Sequence, residues 1–120
     1  MSAGPEDILQ VQVLGFLKVA VPDCVYFHCP NGGSRHPREA KKLKSMGVRP
    51  GVADLCFVLP GGRAAFIELK AGAGRQTASQ ALFQEEVTAL GSPYAVCRSI
   101  SEVQSTLEGW GLKLRGRLSS

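Results

Sequence analysis

Two apolar segments flank a Pro-Gly-Gly sequence in the stretch Asp54-Leu-Cys-Phe-Val-Leu59-Pro60-Gly-Gly62-Arg63-Ala-Ala-Phe-Ile-Glu68-Leu-Lys70. Apolar runs separated by a few turn residues predict two β-strands, over 54–59 and 64–70, joined as a hairpin. Because nearly every residue of both strands is apolar, we expect the sheet to be covered on both faces. The charged residues Asp54, Glu68 and Lys70 at the open end of the hairpin therefore require a reason.

The length of the hairpin loop decides how these charges are arranged. A three-residue loop over 60–62 places Asp54 directly opposite Glu68, and the alternation of side chains puts Lys70 on the same face as Glu68. A two-residue loop would instead pair Asp54 with Leu69 and separate the two acids. The three-residue register is an assumption, and the opposition of the Asp54 and Glu68 carboxylates depends on it.

Opposed carboxylates repel each other across a sheet unless a cation lies between them. Mg²⁺ prefers carboxylate oxygens, keeps several waters and completes its shell with phosphate oxygens. Asp54 and Glu68 therefore predict a divalent-metal site, where Lys70 would orient or help deprotonate the attacking water and stabilise charge on a phosphodiester. The alternative is structural: two acids at strand ends, one of them paired with Lys70.

Hydrophobic periodicity and turn residues predict the order α β α β β α β α along the chain. This order favours an α/β fold with a mixed central sheet of about four strands flanked by helices. The helix signals are Pro5 and Pro22 around the first helix, Pro37 at the start of a basic helix, the capping-box pair Thr77 and Gln80, and Ser101 with Gln104.

Length and composition indicate one small domain. The chain has 120 residues, and we expect a single domain over 1–112 followed by a basic tail over 113–120. No apolar run approaches the roughly 18 residues of a membrane-spanning helix, and the acidic start is unlike a signal peptide. The four cysteines are scattered, with no CxxC pair. We therefore expect a soluble, intracellular protein that does not bind membranes.

The basic residues are concentrated between the first predicted strand and the hairpin. Residues 31–51 contain Glu39 as their single acid and six basic residues, namely Arg35, Arg38, Lys41, Lys42, Lys44 and Arg49. A basic segment beside acidic surroundings is typical of a protein that binds a polyanion with one surface. A solvated helix face would explain the same charges.

Short motifs lie in a fixed order around the hairpin. They are Gly47-Val-Arg-Pro-Gly51-Val-Ala-Asp54, Phe66-Ile-Glu68-Leu-Lys70-Ala71, Gly74-Arg75, Gln80 and Val96-Cys-Arg98, preceded by Pro5-Glu6-Asp7-Ile-Leu-Gln10, Pro30-Asn31-Gly32-Gly33 and Ala40-Lys-Lys-Leu-Lys44. In this order, over roughly residues 5–110, the chain resembles the VRR-NUC (virus-type replication-repair nuclease) domain in its stand-alone form, a branch of the PD-(D/E)xK nuclease superfamily. Ala53 departs from the proline that often precedes the acid, and Ser79 from an acid that often precedes the glutamine.

The resemblance implies a restriction-endonuclease-like core and assigns a role to each residue of the hairpin. Asp54 and Glu68 would hold Mg²⁺ or Mn²⁺, with the backbone carbonyl of Leu69 as a further ligand, and Lys70 would serve the attacking water. The two departures remove none of these groups.

Two further residues match the family outside the hairpin. Glu6 would act at the metal, directly or through water; the alternative is an acid favoured by the dipole at a helix N-terminus. Gln80 would point toward Lys70 or the phosphate, although the capping box with Thr77 already explains a glutamine at this position.

The resemblance also implies a function. It indicates a metal-dependent, structure-specific DNA endonuclease acting on branched DNA in replication, recombination or repair, similar to a Holliday-junction resolvase and working as a homodimer. The basic residues of 35–49 would contact the DNA backbone. The alternatives are a flap or repair nuclease and a non-catalytic dimer that binds junctions. We expect the protein in the cytoplasm of a bacterial or phage-infected cell.

Overall fold

The computed structural model describes residues 4–30 and 36–115, in which four helices and four strands follow one another in the predicted order. The elements are α1 (Pro5–Ala20), β1 (Val25–His28), α2 (Pro37–Ser45), β2 (Leu55–Leu59), β3 (Arg63–Leu69), α3 (Ala78–Ala89), β4 (Tyr94–Cys97) and α4 (Ile100–Gly109). The predicted α/β class and the mixed sheet are confirmed. None of the helices in these ranges is both long and apolar enough to cross a membrane.

The strands form one sheet in the order β1-β2-β3-β4. The first three strands are antiparallel, and β4 runs parallel to β3. Leu59 pairs with Arg63 and Leu55 with Ile67, which is the register of a three-residue loop over 60–62. This register places Asp54 and Glu68 at the next position beyond the last paired residues, as predicted.

The main core lies between the sheet and the helices α1 and α4. Val13 and Leu17 of α1 and Val103 and Leu107 of α4 are fully buried. They pack on the alternate strand residues Leu55, Phe57, Leu59, Ala65, Ile67, Leu69 and Cys97. Because side chains alternate along a strand, the residues between these positions, including Glu68, lie on the opposite face.

That opposite face is covered by α3 over its β3–β4 half. Phe83 packs edge-on against Phe66, with ring centroids 5.1 Å apart. The β1–β2 half is open, since Val25, Phe27 and Val58 are 61%, 50% and 43% exposed. The expectation of a sheet covered on both faces is therefore wrong for this half, because α3 reaches the β3–β4 side and α2 buries none of its residues.

One loop is held against α3 by a close backbone approach. Gly51 has a φ of +86°, and a Cβ at this position would lie 2.5 Å from the backbone C and O of Ser79. Gly51 is therefore required both by its backbone conformation and by its neighbour. The contact sets the N-terminus of α3 beside the segment that leads into Asp54.

The last helix begins two residues earlier than the predicted Ser101 cap. The Ser99 hydroxyl accepts a hydrogen bond of 3.1 Å from the N–H of Glu102, and the Glu102 carboxylate accepts one of 2.7 Å from the N–H of Arg98. The Ser101–Gln104 cap is wrong because β4 ends at Cys97 and Ile100, already helical, packs against the core.

The described part of the predicted tail packs on α1. Leu114 lies against the core, and the N–H of Arg115 donates a hydrogen bond of 2.8 Å to the carbonyl of Ala20. The basic residue Arg35, the Asn31–Gly33 motif and residues 116–120 lie outside the described ranges.

Candidate active site

Asp54 is fixed from both sides by the strands next to it. Its Oδ2 accepts a hydrogen bond of 2.6 Å from the N–H of Leu69 on β3. Its backbone carbonyl accepts bonds from the N–H of Cys29 at 2.9 Å and from Nδ1 of His28 at 2.8 Å. The carboxylate therefore lies at the end of the hairpin, held to Leu69, while His28 and Cys29 anchor its backbone.

The surroundings of Asp54 disfavour its negative charge. Burial raises the pKa of the Asp54 carboxyl above its ordinary value of 3.8, and the charges of Glu68 and Glu6 raise it further. The Leu69 N–H and His28 oppose this rise. Two acids, Glu68 and Glu6, thus act electrostatically on Asp54, and a cation would relieve this repulsion.

Glu68 is a buried carboxylate, and one of its oxygens accepts no hydrogen bond from the residues that the structure describes. Glu68 is 0% exposed and Lys70 is 6% exposed. Oε2 of Glu68 lies 3.8 Å from Nζ of Lys70, which is longer than a hydrogen bond, and within the described ranges no group donates to it. A buried acceptor without a donor is costly, so this oxygen is suited to a cation ligand.

The other oxygen of Glu68 belongs to a hydrogen-bond network that sequence reasoning missed. Oε1 accepts a bond of 2.5 Å from the hydroxyl of Tyr94 and a longer one of 3.4 Å from Nε2 of Gln76. Gln76 in turn donates to Oε1 of Gln84 at 2.8 Å. In the parallel pairing of β4 with β3, Tyr94 lies beside Phe66 and therefore on the face of Glu68. No local pattern in the sequence of β4 indicates this pairing.

The Leu69 carbonyl and the Glu6 side chain both lie near the open end of the hairpin. N–H and C=O of one strand residue point to the same side, so the Leu69 carbonyl points toward the β2 side, where Asp54 lies. Glu6 on α1 approaches the loop after β3: a Cβ on Gly74 would lie 3.5 Å from Oε2 of Glu6 and 3.7 Å from Cδ of Lys70.

The side chain of Gln80 takes part in the helix cap. Its Oε1 accepts a hydrogen bond of 2.8 Å from the N–H of Thr77, and the Thr77 hydroxyl accepts one of 3.2 Å from the N–H of Gln80. This capping box is the alternative that the sequence left open. The structure therefore keeps the Gln80 side chain at the start of α3 and does not bring it to Lys70.

The oxygen ligands present suit a hard divalent cation. Two carboxylates and a backbone carbonyl are the donors that Mg²⁺ and Mn²⁺ accept, and the buried, unbonded Oε2 of Glu68 is the observation that favours such a fit. No group of three or more His, Cys, Asp or Glu side chains within 4–30 and 36–115 is arranged to hold a metal by itself. Two protein carboxylates would leave positions for water and phosphate oxygens.

Most of the predicted DNA-contacting residues lie on α2. Arg38, Lys41, Lys42 and Lys44 are exposed on this helix. Arg49 lies in the next loop, where its guanidinium bonds Oε1 of Glu86 at 2.5 Å and lies 5.3 Å from the centre of the Phe83 ring. The predicted DNA-contacting residues that the structure describes therefore form a group of four on α2, while Arg49 pairs with Glu86 of α3.

The end of β4 supports the loop after Lys70. Nη1 of Arg98 donates a hydrogen bond of 2.9 Å to the carbonyl of Gly72. The N–H of Lys70 donates to the carbonyl of Cys97 at 3.1 Å. These two bonds fix the backbone on either side of Ala71 and so help to position Lys70.

Comparison with solved structures identifies the fold. A structure described as "VRR_NUC domain protein" superposes with a TM-score of 0.71 over 92% of this chain and 90% of that chain, at 24% identity. A second, described as "VRR_NUC domain", has a TM-score of 0.61 over 90% of this chain and 99% of that chain, at 20% identity. No family model and no curated protein matches. The chain has the fold of a VRR_NUC domain.

Proposed function

We propose that this protein is a metal-dependent endonuclease that hydrolyses phosphodiester bonds in branched DNA. The observation that carries the proposal is Oε2 of Glu68, a buried carboxylate oxygen that lies 3.8 Å from Nζ of Lys70 and receives no hydrogen bond from any described residue. A carboxylate in a purely structural role would have its oxygens satisfied by donors. The likeness to VRR_NUC domain structures supports the same conclusion.

The metal ligands in this proposal are Asp54, Glu68 and the carbonyl of Leu69, with Glu6 acting directly or through water. When bound, Mg²⁺ or Mn²⁺ would supply positive charge to the phosphate and make a nearby water more acidic. Asp54 and Glu68 contribute by being fixed before substrate arrives, since hydrogen bonds from Leu69 and Tyr94 hold one oxygen of each.

Lys70 is the candidate for handling the nucleophile and the developing charge. Its ammonium group, 3.8 Å from Oε2 of Glu68, has donors that can orient a water or bond a phosphate oxygen. In the hydrolysis, the water oxygen forms a bond to phosphorus and one P–O ester bond breaks. One proton of the water ends on the leaving oxygen, which becomes a free hydroxyl end, and the other product is a phosphate monoester that keeps or releases the second proton according to pH.

The exposed basic residues of α2 would position the DNA backbone. Contacts to phosphates bind without reading sequence, which suits a nuclease that recognises the shape of a junction. Symmetric cleavage of a four-way junction needs two active sites, so the proposal includes a homodimer related by a two-fold axis.

A cleavage panel tests this proposal. Labelled linear, flap, fork and four-way DNAs are incubated with wild-type protein in Mg²⁺, in Mn²⁺ and in excess EDTA, and the products are sized. We expect metal-dependent cleavage, with symmetric paired nicks in the four-way DNA. Cuts restricted to the borders of single strands would indicate the flap or repair alternative instead.

Two carboxylate variants provide the control. Glu68→Gln removes the charge of the proposed ligand, whereas Glu85→Gln removes the same charge from an exposed position on α3. Cleavage should be lost in Glu68→Gln and unchanged in Glu85→Gln. Wild-type cleavage that persists in EDTA, or full activity of Glu68→Gln, would contradict a metal-dependent nuclease at this site.

A further inference from the structure

The hydroxyl group of Tyr94 makes the shortest polar contact to Glu68. The distance from this hydroxyl to Oε1 of Glu68 is 2.5 Å. Nε2 of Gln76 lies 3.4 Å from both the same Oε1 and the Tyr94 hydroxyl, and its amide is itself held by Gln84 at 2.8 Å. Glu68, Tyr94 and Gln76 thus form a polar cluster, supported by Gln84, on the α3 side of the sheet.

This cluster makes the two oxygens of Glu68 unequal. Oε1 accepts hydrogen bonds from two side chains, whereas Oε2 accepts none from the described part of the chain and lies 3.8 Å from Nζ of Lys70. A carboxylate held at one oxygen has lost the rotation about its terminal torsion, which is otherwise broad. Partners that orient a metal ligand in this way commonly contribute 10–100-fold to metal affinity.

We propose that Tyr94 and Gln76 are positioning residues, which hold the Glu68 carboxylate so that Oε2 is the oxygen available to the divalent cation. The proposal rests on the proposed function in one respect, because it takes Glu68 to be a metal ligand. It adds two residues to which neither the sequence motifs nor the comparisons assign a role.

The ring of Tyr94 also contributes to the packing of α3 on β4, which is separate from the hydrogen bond of its hydroxyl. The ring lies 6.3 Å from that of Phe83, so removing the whole side chain would also disturb the contact between α3 and β4. Tyr94→Phe keeps the ring and removes the hydroxyl alone, and it therefore separates positioning from packing.

The test measures Mn²⁺ binding to the full chain without DNA, by titration with detection of free Mn²⁺ by electron paramagnetic resonance. We expect Tyr94→Phe to weaken Mn²⁺ binding about 10–100-fold, with a native circular dichroism spectrum. Gln76→Leu should weaken it less, because its contact to Oε1 is longer. Tyr26→Phe is the matched control. The ring of Tyr26 packs on Phe57, and removing the Tyr26 hydroxyl should leave the Mn²⁺ affinity unchanged.

Cleavage assays at increasing Mn²⁺ provide the second readout. Tyr94→Phe should need about 10–100-fold more Mn²⁺ for half-maximal rate, and excess Mn²⁺ should restore the rate. Equal Mn²⁺ affinity of wild type and a folded Tyr94→Phe would overturn the positioning role, while the metal site and the nuclease proposal stand. Weakened binding by Tyr94→Phe in a protein that cleaves no DNA would support the positioning role and contradict the nuclease. Absence of Mn²⁺ binding by wild type would overturn both.

Discussion

Oδ2 of Asp54 accepts a hydrogen bond of 2.6 Å from the N–H of Leu69, so the end of β2 is tied to the residue between Glu68 and Lys70. This bond fixes where the Asp54 carboxylate lies relative to β3. It also satisfies one oxygen of an acid whose pKa is raised, chiefly by burial. Asp54 is therefore well positioned at a cost to the stability of the metal-free domain.

Asp54→Asn should abolish cleavage and stabilise the metal-free domain. The amide carries no charge to bury, and its oxygen can still accept from Leu69. We expect a higher Tm than wild type at about pH 7 in EDTA, measured by calorimetry, and loss of the Tm increase that Mn²⁺ gives to wild type. A lower metal-free Tm would show that the Leu69 bond outweighs the cost of burial.

The pH dependence of this difference follows from the raised pKa. An acid with a higher pKa in the folded state stabilises the fold while it is protonated, and this stability is lost as pH rises from the ordinary value of 3.8 through the folded pKa. The Tm advantage of Asp54→Asn should therefore be small near pH 4 and larger near pH 7. A constant difference across this range would contradict the role of Asp54 ionisation.

Lys70→Met should remove cleavage without removing metal binding. Loss of a group that handles protons or charge at the reacting phosphate costs about 10²–10⁴-fold in rate. The buried Glu68 carboxylate loses its positive neighbour in this variant, so its metal-free domain should be less stable than that of wild type. Mn²⁺ should raise the stability of the variant by more than it raises the stability of wild type. Lys18→Met, at an exposed position on α1, is the control. Wild-type cleavage by Lys70→Met would exclude Lys70 from the chemistry.

Glu6→Gln tests whether the acid of α1 acts at the site or only on the helix dipole. Asp7 is the matched control, because it lies in the same first turn and its Oδ2 bonds the N–H of Gly4. Both Glu6→Gln and Asp7→Asn remove a charge that favours the helix N-terminus. We expect the cleavage rate to fall about tenfold in Glu6→Gln alone, as for a residue that supports a metal ligand. Equal cleavage rates of the two variants would show that Glu6 acts only by its favourable interaction with the helix dipole.

The strands and the turn of the hairpin could be predicted because they are local. The Pro60-Gly-Gly62 loop left two registers of β2 on β3 open, and in the three-residue register that the structure has, alternation places Asp54, Glu68 and Lys70 on one face. These three residues are separated by a few strand positions, so no long-range information is needed. Helix starts at Pro5, Pro37 and Thr77 were predictable for the same reason.

The support around Glu68 could not be predicted because it depends on β4. Tyr94 reaches Glu68 through the parallel pairing of β4 with β3, which joins residues distant in sequence. Gln76 joins this network from the loop before α3. The pairing of Arg49 with Glu86 also joins residues distant in sequence.

Gly51→Ala should destabilise the domain more than the same change at Gly47. Both glycines have a positive φ, 86° and 96°, and an alanine there is strained by about 1–2 kcal/mol. A Cβ at Gly51 would also meet the backbone of Ser79 at 2.5 Å, whereas no atom of the described ranges lies within 4 Å of one at Gly47. The clash should add about 1–3 kcal/mol. Urea unfolding measures both variants, and equal free energies of unfolding would contradict the close approach.

Neutralising α2 should weaken DNA binding and its salt dependence together. Each lost phosphate contact lowers the magnitude of the slope of log K against log salt by about 0.9 for duplex DNA. Lys41→Gln should therefore lower this slope by up to that amount. The combined change of Arg38, Lys41, Lys42 and Lys44 to Gln should lower it by correspondingly more. Arg49→Gln should have a smaller effect, because its guanidinium already bonds Glu86. The measurement is binding of a labelled four-way DNA in EDTA at several salt concentrations, with Lys18→Gln as control. A slope unchanged by the combined substitution would exclude α2 from the DNA interface.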